Sequence, residues 1–251
     1  MRSQWEWEVG SSDFADMERA RVSAPTKFVL RHSHGEGSYT FERQFPSRIE
    51  CRGVVLGNGI AWAREVQREG GRTTTANAKA ISNVASEAER RVRAGEEITL
   101  PLICTFGTER LWFEKGHRTG RAAGEKVRGR PSRLDGYRDC FDFTIQETAL
   151  IDWIRSQTTA SLPRGSDTIA LNVVKRAVTM CVEGAESLYY DGRYDDLVIL
   201  LEESGPQLFA VLSDGQRIML TLVGDLASRA AALNPHLGDA ALRETPGVPQ
   251  G

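Results

Sequence analysis

The chain of 251 residues contains no G-x-x-x-x-G-K-[S/T] segment, and none of its apolar runs ends in paired acids suited to Mg²⁺. A self-contained phosphate-cradling loop with its metal-holding strand is therefore excluded from the sequence as it stands. No apolar stretch approaches the ~20 residues of a membrane-spanning helix, and the opening residues lack the apolar core of a secretory leader. The expected compartment is the cytoplasm, with no membrane partner. Cys51, Cys104, Cys140 and Cys181 form no C-x-x-C pair and have no histidine at ligand spacing, so buried, reduced thiols are expected in place of a metal knuckle. No G-x-S-x-G elbow is present to support a nucleophilic serine. A net charge of −2 gives the whole chain no bias toward nucleic acid or anionic lipid.

What is present reads as alternating short strands and amphipathic helices. Lys27-Phe28-Val29-Leu30 and Ser38-Tyr39-Thr40-Phe41 are predicted strands around a glycine-containing turn. Val54-Val55-Leu56 forms another, closed by Gly57-Asn58-Gly59, with Ala61-Trp62-Ala63-Arg64-Glu65 continuing after the break. Residues 74–95 carry Ala78, Ile81, Val84, Ala85, Ala88 and Val92 at helical spacing, with Thr75 as the expected cap and Gly95 as the stop. Residues 100–106 (LPLICTF) are the best candidate for a buried strand. Residues 115–133 shift abruptly to Gly, Lys and Arg and read as a surface loop. Helices are expected over 145–155 and 167–190, the second capped by Asp167. Residues 196–203 and 208–211 then read as a hairpin around Ser204-Gly205-Pro206-Gln207.

That hairpin leads into Leu212-Ser213-Asp214-Gly215-Gln216-Arg217 (LSDGQR), at the head of an amphipathic run through Met219, Leu222, Val223, Leu226, Ala230 and Leu233. Ser213 with Gln216 fits a capping box, and a well-capped helix explains both residues without any ligand. It leaves Gly215 unexplained, because glycine inside a helix costs roughly 1 kcal/mol relative to alanine. An anion site explains it: the first-turn N–H groups and the positive end of the helix dipole attract phosphate, and glycine lets phosphate approach the backbone.

Four segments together resemble the AAA/ABC-type ATPases of the SMC, RecF and OLD class, including predicted ATP-binding proteins associated with anti-phage defence. They are Leu100-Pro101-Leu102-Ile103 with Gly107-Thr108-Glu109-Arg110-Leu111-Trp112; Ser132-Arg133-Leu134-Asp135-Gly136-Tyr137; LSDGQR; and Asp225-Leu226-Ala227-Ser228-Arg229-Ala230 with Leu233-Asn234-Pro235. The resemblance covers residues 46–248, with LSDGQR its most specific element. It implies an α/β fold: a partial P-loop NTPase (an ABC-type ATPase head) with an inserted helical subdomain. The expected divisions are a β-rich part at 1–73, a helical insertion at 74–190 and the hairpin with its signature helix at 191–251. Family members also carry a P-loop before, and an apolar strand ending in Asp-Glu after, the portion matched here, so a fragment is expected. An isolated piece of this kind should expose apolar edges and be poorly soluble.

In such ATPases the signature motif of one protomer grips the γ-phosphate of ATP held by the other, while Mg²⁺ is bound by acids this chain lacks. The resemblance therefore implies ATP and Mg²⁺ held through other parts or a partner protomer, a homodimer closed through ATP, and a possible nuclease partner. Ser213, Gly215 and Gln216 would face the nucleotide, with Ser213 donating to the γ-phosphate. Asp214 replaces a glycine of the family motif and would point away from phosphate; Arg217 would bring a cation, or else be an ordinary helix-face arginine. Arg110 follows the best strand and could reach the nucleotide, or pair with Glu109 or Glu114. No catalytic residue and no metal ligand is assigned to the chain itself. Lys115, Arg118, Arg121, Lys126, Arg128, Arg130 and Arg133 could track DNA or RNA phosphates, although no aromatic residues interleave with them. His32 and His34 read as surface residues, not as a metal pair. The alternative to an ATPase portion is a non-catalytic interaction or nucleic-acid-binding module.

Overall fold

A computed structural model describes residues 30–35, 38–43, 45–104, 132–138, 140 and 147–247. The fold is mixed, with helices and strands, and the chain divides into two compact units between Ile98 and Thr99. The divisions implied by the resemblance were 73/74 and 190/191. The helix after residue 74 belongs to the first unit, and the two helices before residue 190 share one core with the strands and helix that follow.

In the first unit, β1 (Leu30–Gly35) pairs antiparallel with β2 (Ser38–Arg43), and β3 (Ser47–Val55) with β4 (Asn58–Val66). The predicted strand at residues 27–29 lies outside the described residues, as does the N-terminal segment. The second hairpin closes tightly because Leu56 and Gly57 both take positive φ, 48° and 79°, the geometry of a two-residue turn that matches strand twist. Along β3, Val55 is buried while its neighbour Val54 is exposed, the period of two that a half-buried strand requires. After a 3-10 turn at Ala76–Ala78, α1 (Lys79–Arg93) buries Ile81, Ala85 and Ala88, one stripe at helical spacing. Thr75 precedes the 3-10 turn without the side-chain cap expected of it. Gly95, with φ of 82°, stops the chain after the helix as anticipated.

The second unit is built on α2 (Glu147–Ser161), α3 (Ile169–Cys181), the meander β5 (Ala185–Asp191), β6 (Asp196–Leu201) and β7 (Gly205–Leu208), then α4 (Asp214–Leu233) and the short α5 (Ala241–Glu244). The three strands lie in the order β5-β6-β7, antiparallel throughout. Every strand pair among the described residues is antiparallel, so the parallel sheet of a P-loop core is not among them. The core gathers Ile154 of α2, Leu171 and Val174 of α3, Leu197 and Ile199 of β6, and Leu220 of α4.

Three sequence expectations change here. The helix expected over 167–190 ends at Cys181 and is capped by Thr168, whose hydroxyl accepts from the Leu171 N–H; Asp167 instead pairs with Lys175. Gly184, at φ 70°, turns the chain into β5, a strand that the helical reading had absorbed. The second hairpin strand begins earlier than expected, and Phe209–Val211 is a 3-10 turn. The buried face of α4 keeps Ala230 and Leu233 of the predicted stripe but differs from it over the first half of the helix. Leu220, Gly224, Ala227 and Ala231 face inward, while Met219 keeps 46% of its surface exposed. Small residues win because the helices approach closely: a β-carbon on Gly224 would sit 2.8 Å from Leu150 Cδ1.

Residues 100–103 are buried, as the apolar run predicted, but residues 100–104 form no strand and no ladder with another strand among the described residues. Of the thiols expected to be buried, Cys140 is; Cys51 and Cys104 are partly covered and Cys181 is exposed. No helix among the described residues is long and apolar enough to cross a membrane.

Candidate functional site at the head of the signature helix

Chain entry into LSDGQR is fixed by the preceding turn. Phe209 is 3% exposed and anchors the segment in the core, while the Asp196 carboxylate accepts from the N–H groups of Leu197 and Ala210 at 2.8 and 3.1 Å. Ser213 is extended, at φ −61° and ψ 154°, and caps α4 as the sequence predicted. Its hydroxyl accepts from the Gln216 N–H at 3.3 Å and donates to Gln216 Oε1 at 3.0 Å; Gln216 Oε1 also accepts from the Ser213 N–H at 3.1 Å. Both halves of the capping box are thus closed. The first-turn N–H groups of Asp214 and Gly215 have no carbonyl one helical turn back to bond, so the positive end of the helix opens outward there.

Gly215 is exposed, its φ is not positive, and nothing lies within 4 Å of where a β-carbon would stand. The fold therefore accommodates any side chain at this position. At Gly136, by contrast, a β-carbon would stand 2.6 Å from Leu233 Cγ and 3.1 Å from the Arg229 carbonyl oxygen, and at Gly224 it would press on the end of the Leu150 side chain.

Asp214 turns back along the helix, where its Oδ1 accepts from Arg217 Nη2 at 3.0 Å. On the other side Arg217 Nε stands 3.3 Å from Glu147 Oε1, a Coulombic contact without hydrogen-bond alignment. Arg217 and Glu147 retain only 24% and 23% side-chain exposure, so this pair is screened less than a surface pair. Burial pushes the Glu147 carboxyl above the ordinary range, Asp214 and Asp196 add to the rise, and Arg217 opposes it. Arg217 is thus held between two carboxylates, neither a solvated arginine nor an unopposed cation.

The described parts of the other resemblance segments, residues 100–103, 132–137 and 225–235, meet at the far end of α4, roughly 30 Å away at 1.5 Å per residue. Arg229 Nη1 donates to the carbonyls of Gly136 and Arg138 at 3.2 and 2.6 Å. Arg133 Nε donates to Leu233 O at 2.8 Å, which commits this member of the proposed nucleic-acid stretch to tying down the helix end. Tyr137, fully buried, donates its hydroxyl hydrogen to Pro101 O at 2.8 Å. Asn234, also fully buried, pairs with both backbone groups of Leu100: Oδ1 accepts from Leu100 N at 2.7 Å and Nδ2 donates to Leu100 O at 2.8 Å. The same Nδ2 reaches Thr245 Oγ1 at 3.1 Å. In this way the amide imitates one residue of a neighbouring strand.

Arg110 and the rest of the basic stretch, Lys115 to Arg130, lie outside the described residues. The structure thus gathers Ser213, Asp214, Gly215, Gln216 and Arg217 at one helix end and adds Glu147 and Asp196, which sequence reasoning missed. Neither has a motif; their proximity arises only when α2 and β6 pack beside α4. The exposed donors suit a phosphate oxygen. As N–H and O–H donors they match an anion and not a cation such as Mg²⁺. No protein-family model matches the chain, and a search of curated proteins finds no match.

Proposed function

We propose that the chain supplies the signature-motif portion of an SMC/RecF-like AAA/ABC-type ATPase, with a P-loop NTPase head as its wider fold. In this reading ATP and Mg²⁺ are held by a partner protomer. The head of α4 meets the γ-phosphate, with the Ser213 hydroxyl and the N–H groups near Gly215 as donors. The assembly is a cytoplasmic homodimer closed through ATP, whose conformational change acts on a nuclease or on DNA. The chain alone has no turnover in this scheme. Gly215 is the observation that carries the reading: a helix-weakening residue stands where the fold imposes no steric need for it and where the helix end is open.

One observation favours a second reading, a non-catalytic interaction module. Ser213 and Gln216 already satisfy one another, and Arg217 is engaged by acids, so the motif is complete as a helix cap. Calorimetry with ATP and ATP-γ-S separates the two, on the chain alone and with a version extended at both ends to carry a P-loop and an Asp-Glu strand. The ATPase reading expects no binding alone, and Ser213-dependent binding or turnover in the extended form. No nucleotide response in either form leaves LSDGQR as a cap.

A further inference from the structure

We propose that Glu147 is a positioning residue for the signature motif: from the first turn of α2 it holds the Arg217 guanidinium back and sets how much positive charge the head of α4 offers an incoming polyphosphate. This rests on the phosphate-gripping reading above.

The geometry gives Glu147 this part. Arg217 has two carboxylates at its guanidinium, and they differ in freedom. Asp214 is 78% exposed at the side chain and sits on the same helix, so it moves with Arg217 and is screened by water. Glu147 is three-quarters covered and belongs to α2, which Leu150 and Ile154 lock into the core. It cannot follow Arg217 outward. Among the described residues the charged groups acting on Glu147 are Arg217 and Asp214 of α4 and Asp196 at the start of β6. Asp196 is occupied by two backbone N–H groups. Two carboxylates therefore flank one guanidinium, so an arriving anion meets a cation whose field is opposed on both sides. Replacing Glu147 by its neutral isostere leaves the shape intact and removes one of the negative charges that oppose Arg217, which raises the positive field offered to the anion. Protonation of Glu147 does the same in the native chain, so the effect depends on pH.

The test uses the full chain and inorganic tripolyphosphate, which reads the anion without the base or sugar, by calorimetry at low ionic strength. Glu147→Gln binds about three- to tenfold more tightly than the native chain near pH 7.5, the scale expected of one partly buried charge. That ratio shrinks toward one as the pH falls through the raised titration range of Glu147, because the native carboxylate takes up its proton there; taking the ratio at each pH cancels the ligand's own titration. In an Arg217→Gln background the gain disappears. Equal or weaker binding by Glu147→Gln, or a gain that survives without Arg217, overturns the proposal. Should Glu147→Gln fail to fold, the pH profile of the native chain decides: affinity measured relative to Arg217→Gln must rise as pH falls, and a flat profile overturns the idea. Binding that is lost in Ser213→Ala but indifferent to Glu147 sinks this inference alone. Absence of tripolyphosphate binding in every form at millimolar concentration sinks it together with the reading beneath it.

Discussion

Replacing Asn234 by alanine should be among the most damaging single changes in the second unit. The side chain is fully buried and serves both backbone groups of Leu100, itself 0% exposed. Alanine leaves that N–H and that carbonyl without partners in a place water does not reach. Each stranded group costs about 1–3 kcal/mol, and the Thr245 hydroxyl can turn elsewhere, so a loss of about 3–5 kcal/mol is expected. Two compact units make a single denaturant midpoint ambiguous. Hydrogen exchange followed by mass spectrometry on peptides from α3 and β6 avoids this, since protection there reports opening of the second unit itself. At about 1.4 kcal/mol per tenfold, exchange should accelerate roughly a hundred- to five-thousand-fold. Thr245→Ala removes one of the three hydrogen bonds and should cost only about 1 kcal/mol. If Asn234→Ala loses less than about 1 kcal/mol, or no more than Thr245→Ala, the amide is not imitating a strand and the reasoning fails.

Three further outcomes follow from the same geometry. Gly247 has φ of 87° and a β-carbon there would meet Leu102 O at 2.6 Å, so Gly247→Ala should destabilise the second unit by at least about 2 kcal/mol, read by thermal melting. Gly224→Leu should cost about 2–3 kcal/mol by overpacking against Leu150, whereas Gly224→Ala should lie near neutral as helix propensity offsets a contact that a flexible side-chain end can relieve; urea titrations of both variants check this. Glu147 has a folded-state pKa above its ordinary 4.5, so it binds more proton when folded and its stabilising contribution is lost as pH rises through that folded value. Relative to Glu147→Gln, the native chain should therefore lose melting temperature as pH climbs through the window above about 4.5, and a difference that is constant with pH would contradict the assignment.

Much of the local structure was legible. The hairpin at residues 47–66, the helix after residue 78, the closing hairpin and the Ser213–Gln216 box all follow from turn residues, periodicity and capping chemistry, which act over a few residues. The misreadings lie where tertiary context outweighs local pattern. Residues 185–190 continue an apolar helical rhythm, yet Gly184 breaks it and Asp191-Gly192 marks the hairpin that makes them a strand; those two glycines were the available signal. On α4, ranking by hydrophobicity selected Met219 and Leu222 for the interior. The close approach of α2 selects Gly224 and Ala227 instead, because contact distance, and not side-chain size, limits burial there. Of the site, the helix head could be read from six residues. Glu147, Asp196 and the Asn234 clamp could not, because their partners lie 70, 14 and 134 positions away along the chain.

The unequal fastening of α4 makes it a pointer with a fixed hilt. Its tail is riveted through Arg229, Leu233 and Asn234, while its tip carries exposed residues and is tethered laterally at Arg217. The helix is 20 residues long, about 30 Å, so a small rotation at one end is a large displacement at the other. A tilt of about 2° about the tail displaces the Ser213 hydroxyl by roughly 1 Å, comparable to the difference between a hydrogen bond made and one missed. A rearrangement beneath residues 100–104 that tilted the tail would thereby be felt as a change of reach at the tip.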